Sequence, residues 1–114
     1  MKVLVCGGRD FNDFDALCHE LGGAHAANAI VEVIEGGARG ADQLAHDWAK
    51  LNGVQTIAYL ADWESHGRAA GPLRNQRMLD EGKPDLVIAF PGGKGTADMV
   101  RRAKAASIPV KEIS

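Results

Sequence analysis

Cysteine is scarce. The 114-residue chain holds two, Cys6 and Cys18, too few for a disulfide framework or a zinc cage. A reducing cytoplasm is the compartment expected of such a chain. Long apolar runs are missing as well. Runs such as Val3–Cys6 and Leu86–Phe90 fall far short of the ~20 residues that cross a bilayer, and the opening residues do not read as a signal peptide. No membrane partner is expected. Positive charge is not in excess either: the formal net charge is −2, which argues against a dedicated nucleic-acid binder. No segment fits GxxxxGK[ST], and HExxH, GxSxG and CxxC are absent. The run Gly93-Lys94-Gly95-Thr96-Ala97-Asp98 breaks the dinucleotide fingerprint GxGxxG at its last position. His19, His25, His46 and His66 are scattered without metal-ligand spacing, so neither a metal nor a resident cofactor is expected.

What remains is the composition of an ordinary soluble globule, 46% hydrophobic and 25% charged. Its length predicts one domain over residues 1–114. Apolar patterning alternates along it. Lys2–Cys6, Ile30–Ile34, Val54–Tyr59, Asp85–Phe90 and Ile108–Ile113 read as strands. Asp13–Ala27, with Phe14, Leu17, Cys18 and Leu21 at helical spacing, reads as a helix, as do Gly40–Asn52, Gly71–Glu81 and Thr96–Ala106. Pro72 is expected at the first helical position of its segment. Alternating strands and helices predict an α/β, Rossmann-like doubly wound parallel sheet of about five strands. The likeliest order is 3-2-1-4-5, with helices on both faces. Leu60–Ala70 is the longest irregular stretch, and its length marks it as functional.

Glycine is the one outlier in excess. Fourteen of 114 residues is about 12%, against a usual ~7%. Ten fall in four clusters: Gly7–Gly8, Gly36–Gly37–Gly40, Gly67–Gly71 and Gly92–Gly93–Gly95. Three of these follow predicted strands, on the sheet edge where such folds bind ligands. Glycine lets backbone approach a ligand closely, and loop amides with the following helix N-terminus form an anion cradle. Tight strand-to-helix turns are the plainer reading of the same residues. Cations sit beside the loops: Arg9, Arg39, Arg68, Lys94, and Arg74 with Arg77 one turn apart. Near the start of a helix, positive charge opposes the dipole by up to ~1 kcal/mol unless an anion docks there. Solvated arginines or intersubunit salt bridges are the alternative. Trp63 reads equally as a stacking surface for a base or as an anchor that packs its loop on the body.

The ensemble GGRDF (7–11), GGARGAD (36–42), AAGPLRNQRML (69–79) and FPGGKGTADM (90–99) resembles the YspA/YpsA-related branch of the SLOG superfamily. That superfamily is Rossmann-like and includes the LOG phosphoribohydrolases and the DNA-processing protein DprA. The resemblance implies binding of a nucleotide or nucleotide-derived ligand. The candidate ligand residues are Gly7, Gly8, Arg9, Gly36, Gly37, Arg39, Gly40, Asp42, Arg74, Asn75, Arg77, Gly92, Gly93, Lys94, Gly95 and Thr96. LOG enzymes cleave the N-glycosidic bond of nucleoside 5′-monophosphates and carry PGGxGTxxE with an upstream arginine. Pro91–Thr96 match that signature, and Arg77 falls near the arginine's place. Met99 stands where the family has its catalytic glutamate. Glycosidic cleavage passes through an oxocarbenium-like state that a carboxylate stabilises, and methionine supplies none. Asp98, Glu35 and Asp42 are the remaining candidate acids. Asp98 lies one residue early, ~100° around a helix from the family position, and also suits a helix's first turn.

The primary expectation is therefore a nucleotide-binding or sensor module, with a LOG-like hydrolase as the alternative. A DNA-handling module and an inert assembly domain are the further options. By resemblance to LOG enzymes a homodimer is expected.

Overall fold

The computed structural model describes residues 1–114. Strands β1 (Lys2–Cys6), β2 (Glu32–Glu35), β3 (Gln55–Ala58), β4 (Leu86–Ala89) and β5 (Val110–Glu112) form one parallel sheet in the order β3-β2-β1-β4-β5. Helices α1 (Phe14–Ala27), α2 (Ala41–Leu51), α3 (Trp63–His66), α4 (Ala70–Asp80) and α5 (Lys94–Ala105) make the connections. The α/β class and the 3-2-1-4-5 order are as the patterning predicts.

Period-2 alternation in β1 divides the core between the two faces of the sheet. Val3 and Val5 pack with Leu17 and Leu21 of α1 and Trp48 of α2. Leu4 and Cys6 pack with Met78 and Leu79 of α4 and Met99 of α5. A strand buried on both faces has no polar position, which is why the first apolar run reads without a break. Asp13 starts α1 by accepting a hydrogen bond from the Ala16 amide at 3.0 Å. Full burial of Leu17 and Leu21 stabilises the α1 contact by roughly 1.5–3 kcal/mol each.

The differences from the expected boundaries have local causes. Strand β2 begins at Glu32, because before it the Ile30 amide turns away to donate to His25 Nδ1 at 2.9 Å. Edge strands β3 and β5 are shorter than their apolar runs, and Pro109 has no N–H to extend the second ladder. Helix α5 starts at Lys94, two residues before Thr96, so Gly95 lies inside its first turn. The stretch 60–70 is not irregular. Asp62 caps α3 by accepting from the Ser65 amide at 3.1 Å, and a 3-10 turn, Gly67–Ala69, leads straight into α4. Pro72 is thus third in α4, not first. Its missing N–H still falls among the first-turn donors that have no partner within a helix.

Candidate functional site

Strands β1 and β4 are neighbours, and their connections leave toward opposite edges of the sheet. A crevice opens at such a switch point. Here it is a cleft of about 790 Å³ between the loop after β1, helix α4 and the start of α5. That lies within the ~300–1,000 Å³ typical of small-ligand sites.

The glycines of its rim fall into two groups. Gly40 has φ +79°, and a Cβ there would lie 2.6 Å from the Arg9 backbone carbon. At Gly92 a Cβ would lie 2.7 Å from the Gly8 nitrogen. The Gly8 amide donates to the Pro91 carbonyl at 2.8 Å, so this pair of loops is laced together by its own backbone. Gly7, Gly8, Gly36 and Gly37 also have protein atoms crowding the place of a Cβ. Close packing of the chain accounts for all six. Gly93 and Gly95 are different. Nothing lies within 4 Å of a Cβ at either, neither has a positive φ, and both line the cleft.

These two glycines belong to the start of α5. No side chain caps that helix, and its first turn holds no acid. Its leading N–H groups therefore face the cleft as unpaired donors at the positive end of the helix dipole. Thr96 and Lys94 stand beside them in the lining.

Arg9 and Arg74 line the same cleft. The Arg74 Nη1 donates to the Gly36 carbonyl at 2.7 Å, and its Nε to Asn75 Oδ1 at 3.1 Å. Burial lowers the Arg74 pKa and the repulsion of Arg9 adds to this, while Asp42 and Glu35 oppose it. Arg68 and Arg101 also line the cleft. Arg101, which reads from sequence as a cation toward the end of its helix, lies inside α5 and reaches the cleft. Arg39 faces a second, smaller lobe and pairs at 3.3 Å with Asp10, both largely exposed.

The structure does not bring Arg77 to the cleft. It lies in the last turn of α4, bonds Glu81 at 3.0 Å and sits 5.5 Å over the Tyr59 ring. The expected dipole penalty for Arg74 and Arg77 does not arise. With α4 beginning at Ala70, Arg74 is fifth in the helix and Arg77 stands near the end that favours a cation.

The candidate acids occupy three distinct settings. Asp98 lines the cleft but is committed to the protein. It accepts from Arg101, from Arg102 Nε at 2.8 Å and from Asn75 Nδ2 at 3.0 Å. Burial pushes its pKa up, but the bonds from Arg102 and Asn75 and the two guanidinium charges outweigh this and hold it below the ordinary 3.8. Asn75 also donates to the Gly95 carbonyl at 3.1 Å, tying α4 to the first turn of α5. Asp42 is buried in the cleft wall and accepts from the Ala38 amide at 3.2 Å. Burial raises its pKa, against the pull of the Ala38 amide and Arg74. Glu35 lies behind the wall and is not part of the lining. Met99 is fully buried in the core between α5 and the sheet. Cys6 is buried too, with its thiol pushed up to about 12, chiefly by desolvation. No group of three or more His, Cys, Asp or Glu side chains is arranged to hold a metal ion.

Two comparisons bear on this architecture. The sequence profile described as YAcAr, the YspA, cpYpsA-related SLOG family, matches residues 1–66. The chain belongs to this SLOG family. It is also similar to Gene 61 protein of Mycobacterium phage D29, with 42% identity over 120 aligned positions that cover 96% of this chain and 93% of that protein. The profile match takes in the first two glycine loops and Trp63. The phage protein extends the likeness along nearly the whole chain.

Glu35 gives this SLOG-family protein a pH dependence of definite sign. Desolvation pushes its carboxyl up to about 7 from an ordinary 4.5, despite the bond from the Gly37 amide. Below pH 4.5 folded and unfolded chains both hold the proton. As pH rises, the unfolded chain ionises first, so stability falls until about pH 7 and is then flat. Glu35→Gln should be more stable than wild type by roughly 1–2 kcal/mol at pH 8 and should lose less stability between pH 4.5 and 7. Urea unfolding at stepped pH checks this, and parallel curves for the two proteins would refute it. Asp98 acts in the opposite direction: its depressed pKa adds stability that is lost as pH falls through and below the ordinary aspartate range.

Proposed function

We propose that the chain binds a phosphorylated nucleotide or nucleotide-derived ligand at the junction of its glycine loops, as a sensor or binding module. One observation carries the reading. The start of α5 presents uncapped amides with no acid in the first turn, beside two glycines at which a Cβ would meet no atom, in a cleft that Arg9 and Arg74 also line. An anion is the group that satisfies unpaired N–H donors and guanidinium charges together. SLOG family membership agrees with a nucleotide-related role.

Binding without chemistry is favoured by the acids. Asp98 is saturated by its own arginines, and Met99 supplies no carboxylate. The hydrolase reading keeps one specific support, the buried Asp42 carboxyl in the cleft wall with its raised pKa. Release of free base from a nucleoside 5′-monophosphate panel, abolished in Asp42→Asn, would establish that reading.

Thermal melting against nucleoside mono- and diphosphates tests binding. A ligand at a hundredfold excess over its Kd stabilises by about 2.7 kcal/mol. That is a rise in Tm of roughly 10 °C for a chain of this size. No shift with any phosphorylated ligand at millimolar concentration would end the proposal.

A further inference from the structure

We infer that the Trp63 indole is the stacking platform for a planar base, and that the second lobe of the cleft is the base compartment. The inference rests on the phosphate reading above and adds to it the part of the ligand that is not an anion.

The chain has two tryptophans, and they are used differently. Trp48 is 3% exposed and belongs to the core, whereas Trp63 is 50% exposed. A residue that merely anchored a loop would bury its ring. Trp63 is nonetheless held in place. Asp62 caps its short helix, and the indole edge leans on Gly71, where a Cβ would lie 3.3 Å from the ring. The result is a fixed, half-exposed ring, which leaves surface for a base to stack on.

Its position connects two spaces. The indole lines both the main cleft and the second lobe, a space of about 480 Å³ whose wall continues through Leu60 and Ala61. Leu60 is 67% exposed, so two large apolar side chains flank this lobe without cover. Arg9 lines both lobes too, with its guanidinium 5.9 Å over the indole ring. That distance is within cation–π range. A ligand with its phosphate at the start of α5 would pass Arg9 and lay its base in the second lobe, against Trp63 and Leu60 and beside Arg39 and Arg74. The chemical class is a nucleoside phosphate, not a sugar phosphate or a free anion.

The test compares AMP, UMP and ribose 5-phosphate on wild type, Trp63→Ala and Trp63→Phe by isothermal titration, with tryptophan emission recorded alongside. Wild type should bind AMP more tightly than ribose 5-phosphate. Trp63→Ala should weaken AMP and UMP by ~5- to 100-fold, the range of one lost base stack, and leave ribose 5-phosphate within about twofold. Trp63→Phe should recover most of the loss. AMP should quench the emission of wild type but not that of Trp63→Phe, whose signal comes from the buried Trp48. Equal affinities for AMP and ribose 5-phosphate in wild type, or equal losses of both in Trp63→Ala, would overturn the platform and leave the phosphate site standing. Binding of none of the three probes would overturn the phosphate reading and the platform with it.

Discussion

Gly40→Ala should lose about 3 kcal/mol or more of stability, enough to leave the chain largely unfolded at 37 °C. Two costs combine there. The φ of +79° is strained for any residue with a Cβ. The new atom would also press on the backbone of Gly8 and Arg9, which has no flexible end to move aside. That backbone is already engaged, since the Gly8 carbonyl accepts from the amides of Phe11 and Ala41, each at 3.2 Å. Gly95→Ala is the matched control. It meets no atom within 4 Å and lies inside a helix, where alanine is favoured over glycine by up to ~1 kcal/mol. Urea unfolding of the two variants should move in opposite directions. Equal destabilisation would mean that the rim glycines are one packed unit, and the division between structural and ligand-facing glycines would be wrong.

Arg74→Met should weaken a nucleoside monophosphate by about 100-fold while the chain stays folded. Truncating one partner of a buried charge contact costs about 2–5 kcal/mol in binding, and methionine keeps the apolar stem packed. Arg74 reaches three parts of the site at once, through Gly36, Asn75 and its field at Asp42 and Glu35. Removing the charge also removes the pull that lowers both carboxyl pKa values, so the alkaline loss of stability should deepen. Titration of the ligand together with urea unfolding at pH 8 separates the two effects. Unchanged affinity in Arg74→Met would assign the guanidinium to structure alone.

The strand order was legible because β1 and β4 are buried on both faces, which forces unbroken apolar runs followed by glycine loops. The elements that position ligand chemistry were harder. Helix α5 starts two residues early and takes in Gly95 despite its poor helix propensity, with the Ala97 amide donating to the Gly93 carbonyl at 3.0 Å. The cap of α3 is visible as Asp62 three residues before Ser65, a local signal that the length of the stretch obscured. Asp98 has Arg101 and Arg102 at i+3 and i+4, spacings that pair on any helix, so its commitment could be read from sequence. Its bond from Asn75 could not, since that contact joins two helices. The placement of Arg77 away from the cleft, against Tyr59 and Glu81, is set by which face of α4 packs on the body, a tertiary fact. The burial of Glu35 and the exposure of Trp63 are tertiary facts with no local signature.

The proposed function depends on an anion closing the open start of α5. The most direct test is one calorimetric comparison, AMP against adenosine, on the wild-type protein at low salt. The two differ only by the phosphate. AMP should bind with a Kd below millimolar and adenosine about 100-fold more weakly, the difference being the charge-assisted bonds to amides and guanidinium groups. Adenosine binding as tightly as AMP, or no heat from either, would contradict the account.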